Sequence, residues 1–114
     1  MYLNRFQELS KRTMPKPNEK GEYSFRDMAN YAMGLAGEAG ETTDLIKKHL
    51  FHAHPLDKDE VKKELGDVMH YVAGLATMFG LSFDEITDAN IEKLKKRYPN
   101  GFNFIDSMKR VDIK

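Results

Sequence analysis

From Val61 to Phe79 the apolar residues Val61, Leu65, Val68, Val72, Leu75 and Phe79 recur three or four positions apart. That spacing is the period of one helix face, so the segment is a helix with this stripe turned to a core. No alternating pattern of strand type competes with it elsewhere in the chain. Capping signals place its neighbours. Asp57 and Glu60 open this helix, and Gly80 closes it. Ser24, with Asp27 three residues on, opens an earlier helix that runs to about Leu50. Ser82 and Glu85 open a later one that ends near Tyr98, before Pro99, Asn100 and Gly101. A first helix spans about Tyr2 to Thr13, with Leu3, Phe6, Leu9 and Gln7 on one face, and a loop at Pro15, Pro17, Asn18 and Gly21 follows. The expectation is an all-α, four-helix bundle-like protomer.

Its 114 residues allow a single domain, taken as residues 1–104, with a mixed C-terminal tail at 105–114 that carries no clear pattern. Such a small chain with long helices buries little apolar surface alone, which favours self-association as a dimer or tetramer. Hydrophobic residues make up 40% and charged residues 32%, the balance of a globular chain rather than a disordered one. No apolar run approaches the roughly 18 residues of a membrane helix, and the N-terminus lacks the apolar stretch of a signal peptide. The formal net charge of zero argues against nucleic acid or an acidic membrane as partner. Absence of cysteine excludes thiolate chemistry and fits a cytoplasmic setting.

Against this background "GLAGEAGE", residues 34–41, is unusual. Gly34, Gly37 and Gly40 each cost a helix about 1 kcal/mol relative to Ala. Among them, Glu38 and Glu41 stand three apart and therefore share a face. Glu64 and Asp67, in "ELGDV", form a second such pair on the next helix. A short connection favours antiparallel neighbours, which brings the two pairs opposite each other. Four facing carboxylates repel unless they are protonated or share a cation. A hard divalent ion, Mg²⁺ with Mn²⁺ as substitute, is the economical solution, since it takes oxygen ligands and binds phosphates. The small residues then leave room for close helix approach or for a ligand.

Taken with "NIEKLKKRYPNGF", these motifs resemble the MazG-like all-α nucleoside triphosphate pyrophosphohydrolases, over about Phe6 to Phe102. That superfamily also contains the dimeric dUTPases and the phosphoribosyl-ATP pyrophosphohydrolases. Its metal motif, E-x-x-E followed after a spacer by E-x-x-D, is matched by Glu38, Glu41, Glu64 and Asp67. The resemblance implies Mg²⁺-dependent hydrolysis of an NTP or dNTP to monophosphate and pyrophosphate, in nucleotide-pool house-cleaning. A carboxylate not fully engaged by metal, Glu41 being the first choice, would accept the proton of the attacking water, with Glu38 beside it. In the family pattern an Asn and a Lys at the positions of Asn90 and Lys93 help to hold phosphates. Lys96, Arg97 and Tyr98 are further candidates, set against the alternative of a solvated basic helix end.

For the base, Tyr71 and Asn30 flank the acids, and Thr13 and Gln7 lie on the first helix. His70 stands where many relatives carry Trp. His49, His52 and His54 match no common zinc spacing and read as a surface loop. A single D-x-x-H, at Asp67 and His70, falls short of a di-iron bundle. The alternative to an enzyme is a non-catalytic helical module that binds nucleotide or protein through the same acidic groove.

Overall fold

The structure, a computed structural model, describes residues 1–113. Five helices follow in order: α1 (Leu3–Ser10, continued by a 3₁₀ turn at Lys11–Thr13), α2 (Phe25–Phe51), α3 (Lys58–Met78), α4 (Phe83–Arg97) and α5 (Phe104–Lys109). Among the described residues there is no strand. The N-caps fall where the sequence places them, although Asp57 bonds Asp59 rather than Glu60. The Ser24 hydroxyl accepts the Asp27 N–H at 3.1 Å, and Asp57 accepts the Asp59 N–H at 2.9 Å. Ser82 and Glu85 form a reciprocal capping box that satisfies two orphan donors of α4. Gly80 ends α3 at φ +70°, a left-handed turn that a side chain would strain.

The expected four helices become five, because residues 104–109 of the tail are helical. Asn103 caps this short helix by accepting the Asp106 N–H at 2.8 Å. The guanidinium of Arg97 donates to the carbonyl and hydroxyl of Ser107 at 3.3 Å, which fastens α5 to the end of α4.

The frame of the molecule is an antiparallel pair, α2 and α3, with α1 laid on α3 and α4 leaning chiefly on α1. Gln7 makes that arrangement possible. It is only 8% exposed, and its amide donates to Thr77 Oγ1 at 3.1 Å and to the Leu81 carbonyl at 2.8 Å. Its own carbonyl accepts the Phe83 N–H at 2.9 Å, an orphan donor at the start of α4. Nearby, Asn4 both donates to and accepts from Asp84. Gln7 is therefore fully occupied in holding three elements together, and the expectation that it contacts a base or sugar is withdrawn.

The core is small: Met14, Tyr31 and Met78 are buried, with Tyr23, Met28, Tyr71 and Leu75 packed on them. Two members of the α3 stripe were expected there and are not. Leu65 is 50% and Phe79 64% exposed, whereas Ala73, Gly74, Ala76 and Met78 are the buried positions. Leu65 lies in the N-terminal half of α3 and Phe79 just past its end, whereas the buried positions fall between residues 73 and 78. The resulting shape is open, with a radius of gyration of 17.3 Å against about 13 Å for a compact chain of this length.

Candidate metal centre

Pairing of α2 with α3 runs in a register that sets Gly34 against Tyr71 and Tyr31 against Gly74. Continuing that register up the helices by one turn brings Glu38 and Glu41 to the level of Glu64 and Asp67. The spacing foretells four gathered acids, and three of them converge. One carboxylate oxygen from each of Glu38, Glu41 and Glu64 falls within 4.8 Å of the others. Asp67 stands on the same face one turn along and is outside that group of three, close enough for its charge to act on Glu41 and Glu64.

The electrostatics of the cluster are those of unneutralised acid. Glu41 has its pKa raised, first by the negative charge of Glu64 and further by hydrogen bonding to it, by desolvation and by Asp67. Glu64 is likewise raised, first by the close approach of the Glu38 carboxyl and then by desolvation, with the Glu41 carboxyl acting in the opposite direction. One oxygen of Glu38 and one of Glu64 are shut off from solvent and have no donor. Among the described residues, no lysine, arginine or histidine forms an ion pair with any of the four acids. Oxygens buried in this way need a shared proton or a cation between them. An all-oxygen set of this kind suits a hard divalent metal ion, so the residues present fit one.

The remaining candidates are dispersed. Tyr71 lies half-buried at the foot of the cluster, edge-on to Tyr31 at 5.2 Å and to His70 at 5.3 Å. Asn30 is exposed on α2, two turns from Glu38. Asn90 and Lys93 are exposed on α4, which leans on α1 rather than on the acidic pair of helices. Arg97 is engaged with Ser107 and Asp112, and it lies over the Tyr98 ring at 4.9 Å. Tyr98 in turn stacks on Phe102 at 5.2 Å. The site therefore assembles its acids within one protomer and leaves its basic residues outside. His49, His52 and His54 are exposed, as expected of a surface loop, and the His49 ring bonds the His54 carbonyl at 2.9 Å.

Sequence reasoning passed over two things. Asp112, with a side chain 0% exposed, is held by Arg110 at 3.3 Å and Arg97 at 3.9 Å. Nothing in the mixed tail signals that partnership. The other is the matching of Tyr31 and Tyr71 to the glycines, which the repeated Tyr-x-x-Gly of "YAMG" and "YVAG" does signal.

A family model described as the MazG nucleotide pyrophosphohydrolase domain matches residues 26–102. The Gene 37 protein of Mycobacterium phage L5 is 32% identical over 105 residues, covering 89% of this chain and 92% of that protein. Over a shorter stretch of 44 residues, the uncharacterized protein YvdC of Bacillus subtilis (strain 168) is 44% identical, covering 39% of this chain and 42% of that protein. No solved structure gives a significant match. The matched region takes in both acid pairs, all of α3 and α4, and the turn after it: the chain belongs to the MazG nucleotide pyrophosphohydrolase domain family.

Proposed function

We propose that this protein is a Mg²⁺-dependent nucleoside triphosphate pyrophosphohydrolase that converts an NTP or dNTP to the monophosphate and pyrophosphate. The observation that carries the proposal is the convergence of Glu38, Glu41 and Glu64 within 4.8 Å, two of their oxygens lacking any donor. Glu38, Glu41, Glu64 and Asp67 would hold the ion, with Mn²⁺ as a substitute. When bound, magnesium offsets triphosphate charge and acidifies a water in its coordination sphere.

The chain's own residues supply the rest. Water adds to the α-phosphorus, the α–β bridging P–O bond breaks, and pyrophosphate leaves with the bridging oxygen. Glu41 is the most exposed of the three clustered acids and has its pKa raised, which suits it to take the proton of that water. Glu38 sits beside it as a ligand and a charge partner. Asn90 and Lys93 bind the phosphates, while Tyr71 and Asn30 border the groove where the nucleoside lies. Arg97 holds the C-terminal helix, so Lys93 is the main cation in this reading.

Lys93 lies on a helix that leans on α1, and this bears on assembly. A homo-oligomer, in which α4 of one copy closes over the acids of another, gives the site its cations. The open shape of the protomer and its exposed Met33, Leu50, Ile91 and Leu94 support that arrangement. The helices offer none long and apolar enough to cross a membrane, and we place the activity in the cytoplasm, where nucleotide pools are held.

The test is a panel of ordinary and modified NTPs and dNTPs, incubated with Mg²⁺ or with EDTA, followed by product identification. Monophosphate plus pyrophosphate from a subset of the panel, only with metal, is the expected result. No turnover by a protein that demonstrably binds Mg²⁺ would leave it as a nucleotide- or protein-binding module.

A further inference from the structure

The motif Tyr-x-x-Gly occurs once on each long helix, as Tyr31 to Gly34 on α2 and Tyr71 to Gly74 on α3. Because the helices are antiparallel, each tyrosine meets the other helix's glycine. A Cβ added to Gly34 would overlap the ring of Tyr71, and one added to Gly74 would overlap the ring of Tyr31. The rings themselves meet edge-on at 5.2 Å with planes 71° apart. Tyr31 is buried, and its hydroxyl donates to the Thr13 carbonyl at 3.5 Å, so its ring is not a free end that can swing away.

The position of this interlock matters as much as its tightness. Gly34 precedes Glu38 by four residues and Tyr71 follows Asp67 by four, one helical turn in each case. Gly74 lies seven residues from Asp67, about 10 Å further down the pair. At the level of the acids the glycines behave differently. Apart from the helix's own neighbouring backbone, no atom of the described residues stands within 4 Å of a Cβ at Gly37, Gly40 or Gly66. Beyond the acids, toward the connection between the two helices, Leu45 and Val61 are half-buried while Ile46, Leu50, Phe51 and Leu56 are exposed. The tight contact nearest to the gap at Glu38, Glu41 and Glu64 is therefore that of Gly34 with Tyr71.

We propose that the Gly34–Tyr71 contact is the positioning element of the acidic site, setting the helix separation that lets three carboxylates share one cation. This rests on the reading of those acids as a metal centre. Metal–oxygen distances tolerate only about ±0.2 Å, whereas a methyl group inserted under a packed ring displaces a helix by considerably more. Gly34 and Tyr71 act through the acids and touch neither water nor phosphate in this role.

The chain has no cysteine, so spin labels can be placed cleanly at Ala39→Cys and Lys63→Cys, both exposed beside the acids. Pulsed electron–electron resonance then reads the gap without metal, and calorimetry reads Mg²⁺ affinity. Gly34→Ala is expected to shift the label distance outward and to weaken Mg²⁺ binding at least about tenfold. Gly34→Ala combined with Tyr71→Ala, which makes room for the new methyl, is expected to recover both. Gly74→Ala is expected to lower Tm as much as Gly34→Ala does, with Mg²⁺ affinity within about twofold of wild type. An unchanged label distance in folded Gly34→Ala overturns the proposal. So does a loss of Mg²⁺ affinity that is equal in the two glycine variants. Should Gly34→Ala fail to fold, the double variant decides, and a widened gap there counts against the interlock. Should the wild type bind no Mg²⁺, the metal reading falls while the label distance still judges the interlock.

Discussion

Glu41 faces Glu64 across the groove between α2 and α3, and the charge of Glu64 is the largest single cause of Glu41's raised pKa. Among the described residues, neither forms an ion pair. A carboxylate pair of this kind opposes the fold when ionised and supports the site once a cation arrives.

Glu64→Gln removes one charge and supplies an amide that can donate to Glu38 or Glu41. The variant is expected to have a higher Tm than wild type at neutral pH without metal. It is also expected to gain much less Tm from added Mg²⁺ and to lose Mg²⁺-dependent pyrophosphate release. Differential scanning calorimetry with and without Mg²⁺ measures the first two, and a pyrophosphate assay the third. A variant less stable than wild type in the absence of metal would contradict the account of the cluster.

The same cluster sets a pH dependence. Folded-state values above the ordinary 4.5 mean that the native state holds protons which the unfolded chain has released. The contribution of Glu41 and Glu64 to stability is thus complete below about 4.5 and is lost as pH rises through their raised values. Asp112, held low by Arg110, works in the opposite sense, and its contribution fades as pH falls. Comparing wild type with Glu64→Gln cancels Asp112. The Tm advantage of the variant is expected to shrink steadily as pH falls from 7.5 toward 4.5, and saturating Mg²⁺ is expected to abolish it at neutral pH.

Gln7→Leu keeps the volume of a buried side chain and discards three hydrogen bonds. It strands the Phe83 N–H and the Leu81 carbonyl at the junction of α3 and α4. Unsatisfied buried groups of this kind cost about 1–3 kcal/mol each, so a loss of at least about 2 kcal/mol is expected in urea unfolding. Mg²⁺ affinity at the acids, two turns or more away, should hardly change.

Lys93 and Arg97 are expected to part company. Lys93→Ala should suppress turnover while leaving Tm near wild type. Arg97→Ala should free residues 104–113, seen as faster tryptic cleavage at Lys109 and Arg110, with turnover largely kept. Mixing Glu41→Gln with Lys93→Ala, each inactive alone, should restore part of the activity if α4 of one copy serves the acids of another. A mixture that stays inactive after subunit exchange would place Lys93 with the acids of its own chain.

Much of this architecture is written in short-range chemistry. Ser24, Asp57, Ser82 and Gly80 announce helix boundaries because caps act within three residues of themselves. Glu38, Glu41, Glu64 and Asp67 are legible for a similar reason: helical spacing fixes their faces, and a six-residue connection fixes their neighbour. What escaped reading depends on distant partners. The burial of Gln7 is decided by Thr77, Leu81 and Phe83, some seventy positions on. Leu65 and Phe79 keep the core period yet stay exposed, since periodicity says which face is apolar and not how far a neighbouring helix extends along it. The engagement of Arg97 with Asp112 and Ser107 could not be read either, because those partners lie in the mixed tail.

The ties of Gln7 and Asn4 to residues 77–84 also bear on how the protein comes off the ribosome. The part of α1's anchorage that involves residues 81–84 is completed only once the start of α4 has been synthesised. The α2–α3 hairpin closes over a six-residue connection, a contact of low order that forms early. The clustered acids are thus brought together, and their repulsion first felt, on a nascent chain in which α1 has yet to gain all of its partners. Divalent ions present during synthesis would act on that hairpin before the rest of the fold exists to restrain it.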